Sequence, residues 1–108
     1  MAHPLGEFEQ LVLLALLRLG DQAYGVPVRE EIAARTGRKV SLGSVYTTLG
    51  RLEAKRLVQT TLGEPTPERG GRRKKFYRLL PAGERALNHA LAGIRQMTAG
   101  LRPLLERP

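Results

Sequence analysis

The sequence has no cysteine and no tryptophan, and two phenylalanines and three tyrosines supply all its aromatic rings. Without cysteine there is no disulfide and no thiolate metal site. Histidines are equally scarce. His3 and His89 are the only two, and neither a Ser-His-Asp set nor a metal-ligand spacing can be drawn around them. No enzyme, no metal and no cofactor is therefore expected. Long apolar runs are missing as well: the longest, Leu11 to Leu17, is too short to cross a bilayer. Met1-Ala-His-Pro4 lacks the basic start and apolar stretch of a secretory signal, so a cytoplasmic protein is expected. Acidic residues are few, 10 Asp and Glu against 18 Lys and Arg, a net charge of +8. A chain this basic commonly meets a polyanion, either nucleic acid or an anionic membrane face. The alternative is charge for solubility alone, and clustering of the cations decides between them. The 108 residues suffice for one compact domain and not for two.

The most informative stretch is 41–55, Ser-Leu-Gly-Ser-Val-Tyr-Thr-Thr-Leu-Gly-Arg-Leu-Glu-Ala-Lys. Leu42, Val45, Leu49 and Leu52 recur at steps of three and four, which places them on one side of a helix. Ser44, Thr47, Arg51 and Lys55 fall on the other, short hydroxyls and long cations suited to close approach to a polyanion. Ser41 is the expected N-cap, its hydroxyl accepting from an otherwise unpaired first-turn N–H.

The flanking segments fit a helix-turn-helix with a wing. Glu7 and Glu9 sit where a first helix begins, the favourable end of its dipole for acids. Phe8 and the run from Leu11 to Leu17 make that helix apolar nearly all round, so both of its sides are expected to be buried, one against the domain and one against a second subunit. Gly20 and Asp21 end it. A second helix, with Pro27 in its first turn, carries Tyr24, Val28 and Ile32 at four-residue spacing, runs to about Thr36 and stops at Gly37. Arg38, Lys39 and Val40 form the turn into Ser41, with Val40 a candidate third short strand. After Lys55 the pattern becomes that of strands, 57–62 and 76–80. Between them, 69–75 holds five cations and no acid, and Gly70-Gly71 lets backbone approach closely. These glycines are no nucleotide loop, because no strand leads into them and no helix follows. Pro81 opens a last helix. Its Leu87, Leu91, Ile94, Thr98, Leu101 and Leu105 step as a heptad seam, with Met97 and Ala90 beside it, and Gly100 and Pro103 disturb its end. The expected fold is α+β: a winged helix-turn-helix of three helices and a two-stranded wing over 1–80, followed by a C-terminal dimerisation helix over 81–108.

Leu5-Gly-Glu-Phe-Glu-Gln-Leu-Val-Leu-Leu-Ala-Leu-Leu17, Ala23-Tyr24-Gly25, Ser44 to Glu53, and Gly70-Gly-Arg-Arg-Lys-Lys-Phe-Tyr-Arg-Leu79 together resemble the PadR family of bacterial transcription regulators, over about Leu5 to Leu87. The single short last helix resembles the small-tailed branch of that family. The resemblance implies a homodimer, joined through the first and last helices, that represses transcription at operator DNA. It also implies a phosphate contact by Tyr46, whose other reading is half-buried packing with its hydroxyl in water. Three departures stand out. Arg56 replaces the usual glycine after the recognition helix, Pro81 replaces a frequent threonine, and the absence of tryptophan removes the stacking surfaces with which some short-tailed relatives hold aromatic drugs.

The candidate DNA contacts are Ser41, Ser44, Tyr46, Thr47, Thr48, Arg51 and Lys55 from the recognition helix, Arg38 and Lys39 from the turn, and Arg69, Gly70, Gly71, Arg72, Arg73 and Lys74 from the wing, with Arg29 as an addition from the second helix. Arg51 is the best placed for a guanine edge, the wing for phosphates or a minor groove. The candidate dimer interface is Phe8, Leu11, Val12, Leu87, Leu91, Ile94, Met97 and Leu101. Phe8, Val12, Ala90, Ile94 and Met97 could line a pocket for a hydrophobic or aromatic effector, though a closed dimer core is the preferred reading. The partners expected are double-stranded DNA and a second copy of the chain. Two other readings compete with sequence-specific repression: an architectural nucleic-acid binder without sequence choice, and a winged-helix adaptor for an acidic protein.

Overall fold

The computed structural model describes residues 4–65 and 73–106. Helix α1 (Glu7–Leu19) leads through a single 3-10 turn (Gly20–Gln22) to α2 (Gly25–Thr36) and α3 (Leu42–Ala54). An antiparallel pair, β1 (Val58–Pro65) and β2 (Arg73–Leu79), follows, then α4 (Pro81–Thr98) and a four-residue α5 (Arg102–Leu105). This is the expected winged-helix plan, with three differences. The strands run further toward the hairpin tip than propensity suggested, so Arg73, Lys74 and Lys75 belong to β2. Val40 adds no strand: the sheet has two strands among the described residues. In its place the Ala23 carbonyl accepts the Tyr77 N–H at 2.8 Å on the open side of β2. The heptad seam of the last helix is also cut short, because Gly100 (φ 79°) follows the end of α4 and turns the chain away before Leu101.

Local chemistry sets the helix ends. The Gly6 N–H donates to Glu9 Oε1 at 2.9 Å, giving α1 a carboxylate at its positive end. Gly37, at φ 70°, closes α2 with its N–H on the Ala33 carbonyl. The end of α3 is a Schellman turn: Leu57 N–H reaches the Leu52 carbonyl at 3.0 Å and Arg56 N–H the Glu53 carbonyl at 2.9 Å. The residue in the left-handed position is Arg56, φ 59°, the one non-glycine with positive φ among the described residues. This turn also seats α4. The Leu57 carbonyl accepts the Leu80 N–H at 2.9 Å, and a side chain at Gly83 would run into the same carbonyl.

The core lies where α1, α2 and α3 meet under the strands. Val12, Leu13, Val28, Val45, Leu49 and Leu52 are fully enclosed, and Tyr77 and Leu87 close it from β2 and α4. Burial of each large aliphatic side chain contributes about 1.5–3 kcal/mol. Helix α1 packs on α2, α3, α4 and β2. Most of its circumference is therefore satisfied inside one chain, and Leu17 is left half exposed. Val12 and Leu87, expected at a subunit interface, belong instead to this internal core. No helix among the described residues is long and apolar enough to cross a membrane.

Candidate nucleic-acid interface

Helix α3 presents its outer face because its apolar stripe is fully taken up by the core. Ser41 caps it as expected, the Ser44 N–H donating to Ser41 Oγ at 3.1 Å. The Ser41 hydroxyl donates to Ser44 Oγ at 3.0 Å, and the Ser44 hydroxyl to the Ser41 carbonyl at 2.9 Å. Both protons are thus held locally, and a base or phosphate that takes one must turn the hydroxyl outward. Thr47 and Arg51 are exposed, as expected. Thr48 is not: it is buried at 6% exposure, inside the apolar stripe, and leaves the set of direct contacts.

Two residues missed at the sequence level complete the exposed face. Gly43 and Gly50 lie on the same side as Thr47 and Arg51, and nothing lies within 4 Å of where a Cβ would stand. No packing demands these glycines, and each costs the helix about 1 kcal/mol relative to alanine. Their spacing of seven, with Thr47 between them, was the signal available. They make the middle of the face smooth, with Arg51 the one long side chain on it. Tyr46, on one flank, is 46% exposed, and its ring and hydroxyl cover Gly25 at the start of α2 so closely that a Cβ there would displace the ring. The outer edge of Tyr46 stays open beside the exposed face of α3, compatible with both expectations for this residue.

On the other flank, two candidate cations are engaged by α1. Lys55 Nζ lies 2.7 Å from Glu9 Oε2, so Lys55 faces the chain's own first helix rather than outward. Burial opposes ionisation of Glu9, but the hydrogen bonds from Lys55 and the Gly6 N–H, with the charges of Lys55 and Arg51, hold its carboxyl below the usual range. Arg38 reaches Glu7 Oε1 at 2.6 Å and lies over the Phe8 ring, 5.9 Å from its centroid. Lys39 is exposed and Arg29 half-buried.

The wing is held on both of its faces. On one, Lys74 Nζ sits 4.6 Å from the Tyr24 ring centroid and 3.3 Å from its hydroxyl, and Phe76 meets the same ring edge-on at 5.4 Å. Lys74 therefore folds back on the body rather than projecting from the tip. On the other face, Lys75 Nζ lies 3.3 Å from Glu53 Oε1 and 5.6 Å from the Tyr77 ring centroid. The negative charge that Tyr77 takes on as a phenolate and the bond to Glu53 raise the Lys75 ammonium above its usual range. Burial chiefly raises the Tyr77 phenol. Arg73 pairs across the strands with Pro65. Arg69, Gly70, Gly71 and Arg72 lie outside the described residues.

A groove of about 780 Å³ runs between the start of the chain and α4. Leu5, Leu57, Ala86, Ala90 and Ile94 line its apolar part and Lys55, Arg85 and His89 its basic part. Of the expected effector pocket, Ala90 and Ile94 line this groove. Phe8, Val12 and Met97 do not, Val12 because it is enclosed by the core. Of the expected dimer residues, Ile94 (57%), Met97 (76%) and Leu101 (40%) are exposed. Phe8, Leu11 and Leu91 are partly buried against the core.

The profile of the family described as "Transcriptional regulator PadR-like family" matches residues 13–89. No curated protein sequence gives a significant match. Among solved structures, the chain is similar to a PadR family transcription regulator from Clostridium difficile R20291, with a TM-score of 0.75 at 23% identity, over 93% of this chain and 99% of that one. It is also similar to a PadR-like transcriptional regulator from Bacillus cereus ATCC 14579, with a TM-score of 0.73 at 21% identity, over 94% and 93%. A third is a PadR family transcriptional regulator from Eggerthella lenta DSM 2243, with a TM-score of 0.66 at 27% identity, over 94% and 88%.

Proposed function

The chain belongs to the PadR-like family of transcriptional regulators, and from that membership we propose that it is a homodimeric repressor that reads an operator through the outer face of α3. It is a DNA-binding protein by family, and the observation that favours sequence choice over mere phosphate binding is the composition of that face. Gly43, Thr47 and Gly50 allow the helix axis to lie close to base edges, and Arg51 is the side chain able to make a bidentate bond to guanine. A purely electrostatic binder gains nothing from helix-weakening glycines at the centre of its contact surface.

The dimer is proposed from α4. Ile94 and Met97, with Leu101 just beyond the helix, stand open in one chain, and a second copy is the partner that restores their burial. Two recognition helices then address half-sites about one helical turn, ~34 Å, apart. An apolar or aromatic effector, if the dimer takes one, has the groove at Ala90 and Ile94 as its place. Its binding would bias the helix spacing by favouring one of two dimer arrangements.

Fluorescence anisotropy over a salt series, with duplex from the gene's own upstream region beside a scrambled duplex, tests the reading. Tight binding to the first with a wide margin over the second is the expected result. Equal binding to both, with only a steep salt slope, favours the architectural reading. Binding to neither favours the adaptor.

A further inference from the structure

Glu53 is in an electrostatically adverse place for a protein that binds DNA. It lies in the last turn of α3, where the helix dipole disfavours a carboxylate, on the helix proposed to meet a polyanion. It has no acid-binding role in capping, since the Schellman turn at Arg56 is made by backbone groups. What its side chain does is reach the wing. Thr60 Oγ1 donates to Oε2 at 3.2 Å, and Lys75 Nζ lies 3.3 Å from Oε1. Each carboxylate oxygen thus takes a group from a different strand, Thr60 from β1 and Lys75 from β2. Thr60 pairs with Tyr77 and Leu62 with Lys75, so the two groups stand on one face of the hairpin, two rungs apart. The buried ring of Tyr77 lies beneath the Lys75 ammonium.

We propose that Glu53 is a positioning residue for DNA binding, its carboxylate gripping both wing strands from the recognition helix and so fixing the angle between wing and helix. The role rests on the DNA-binding reading. Its logic is geometric rather than energetic. The Glu53 and Lys75 side chains are 40% and 46% exposed, and a pair so exposed adds little to stability. The opposite face of the hairpin is held separately by Tyr24, so loss of Glu53 leaves the strands paired and frees only their tilt relative to α3.

The test exploits a difference in sign. If Glu53 is only a negative charge near DNA, Glu53→Ala and Glu53→Gln both tighten binding to every duplex, and equally. As a positioning residue, Glu53→Ala weakens binding several-fold and lowers the salt slope by about one unit, since wing cations no longer meet phosphates together. Glu53→Gln, which keeps an acceptor for Thr60 or Lys75, falls between Ala and wild type. Thermal melting is expected to move little in either. Thr60→Val, which removes one grip and keeps the side-chain shape, gives a smaller loss in the same direction and serves if Glu53→Ala misfolds. Tighter binding with an unchanged slope, or a loss that tracks the melting temperature alone, overturns the proposal. A wild-type chain that binds no duplex overturns the DNA reading itself, and the positioning role falls with it.

Discussion

Helix α3 closes its apolar stripe within the chain, and α4 does not. Val45, Leu49 and Leu52 of α3 are wholly enclosed. In α4, Gly83 and Leu87 are buried, while Ile94 and Met97 further along are 57% and 76% exposed. Both helices carry apolar residues at steps of three and four, so periodicity alone treats them alike. The difference lies in what surrounds them. Helix α3 is wedged between α1, α2 and the wing, whereas α4 leaves the body after its first turns and carries its stripe beyond the rest of the chain. A closed stripe makes a rigid platform for a polar face, and an open one asks for a partner.

Four substitutions sharpen this contrast, beginning with the largest effect. Leu49→Ala leaves a cavity at the centre of α3's packing and is expected to cost about 2–5 kcal/mol in chemical denaturation. Met97→Ala, at the open end of α4, is expected to change the stability of a single chain hardly at all. Comparable losses for the two would erase the distinction. On the outer face of α3, Arg51→Ala is expected to cost about 1–3 kcal/mol on operator duplex and much less on scrambled duplex. Equal losses by anisotropy would reduce Arg51 to a phosphate neutraliser. A small effect of opposite sign belongs to the turn that joins the two regions. Arg56 occupies a left-handed backbone position at φ 59°, so Arg56→Gly is expected to raise stability by about 0.5–1 kcal/mol in thermal or urea melts. A loss on that change would mean that the arginine side chain itself holds the turn.

The ends of the helices were legible because they are set by local chemistry: a serine able to cap at Ser41, a glycine able to turn left-handed at Gly37, a proline at the start of α4. The winged-helix order followed from them and from the switch to strand periodicity after Lys55. The limits of the sequence reading appear where side chains choose between surfaces. Thr48 lies within about 60° of Val45 on a wheel of 100° per residue, inside the stripe, and its burial follows from that angle. Its hydroxyl made it look like a contact. Lys55 and Arg38 are long cations beside the recognition helix, but α1 offers Glu9 and Glu7 at closer range, pairings between residues 46 and 31 positions apart that no periodicity reveals. The burial of Val12 and Leu87 came from the same source: whether a small chain can wrap its first helix is decided by how α4 crosses it. Gly43 and Gly50 were legible in principle, yet glycine in a helix reads as a weakness until the face it leaves open is seen.

The contrast between the two helices meets its most direct test in sedimentation equilibrium of the wild-type chain beside Ile94→Glu. The account predicts a two-chain species for the wild type and a folded single chain for the variant, with the helical signal of the body retained. A wild type that stays single at concentrations where it binds duplex, or a variant that remains paired, would contradict it: the open stripe of α4 would then not be where two copies meet.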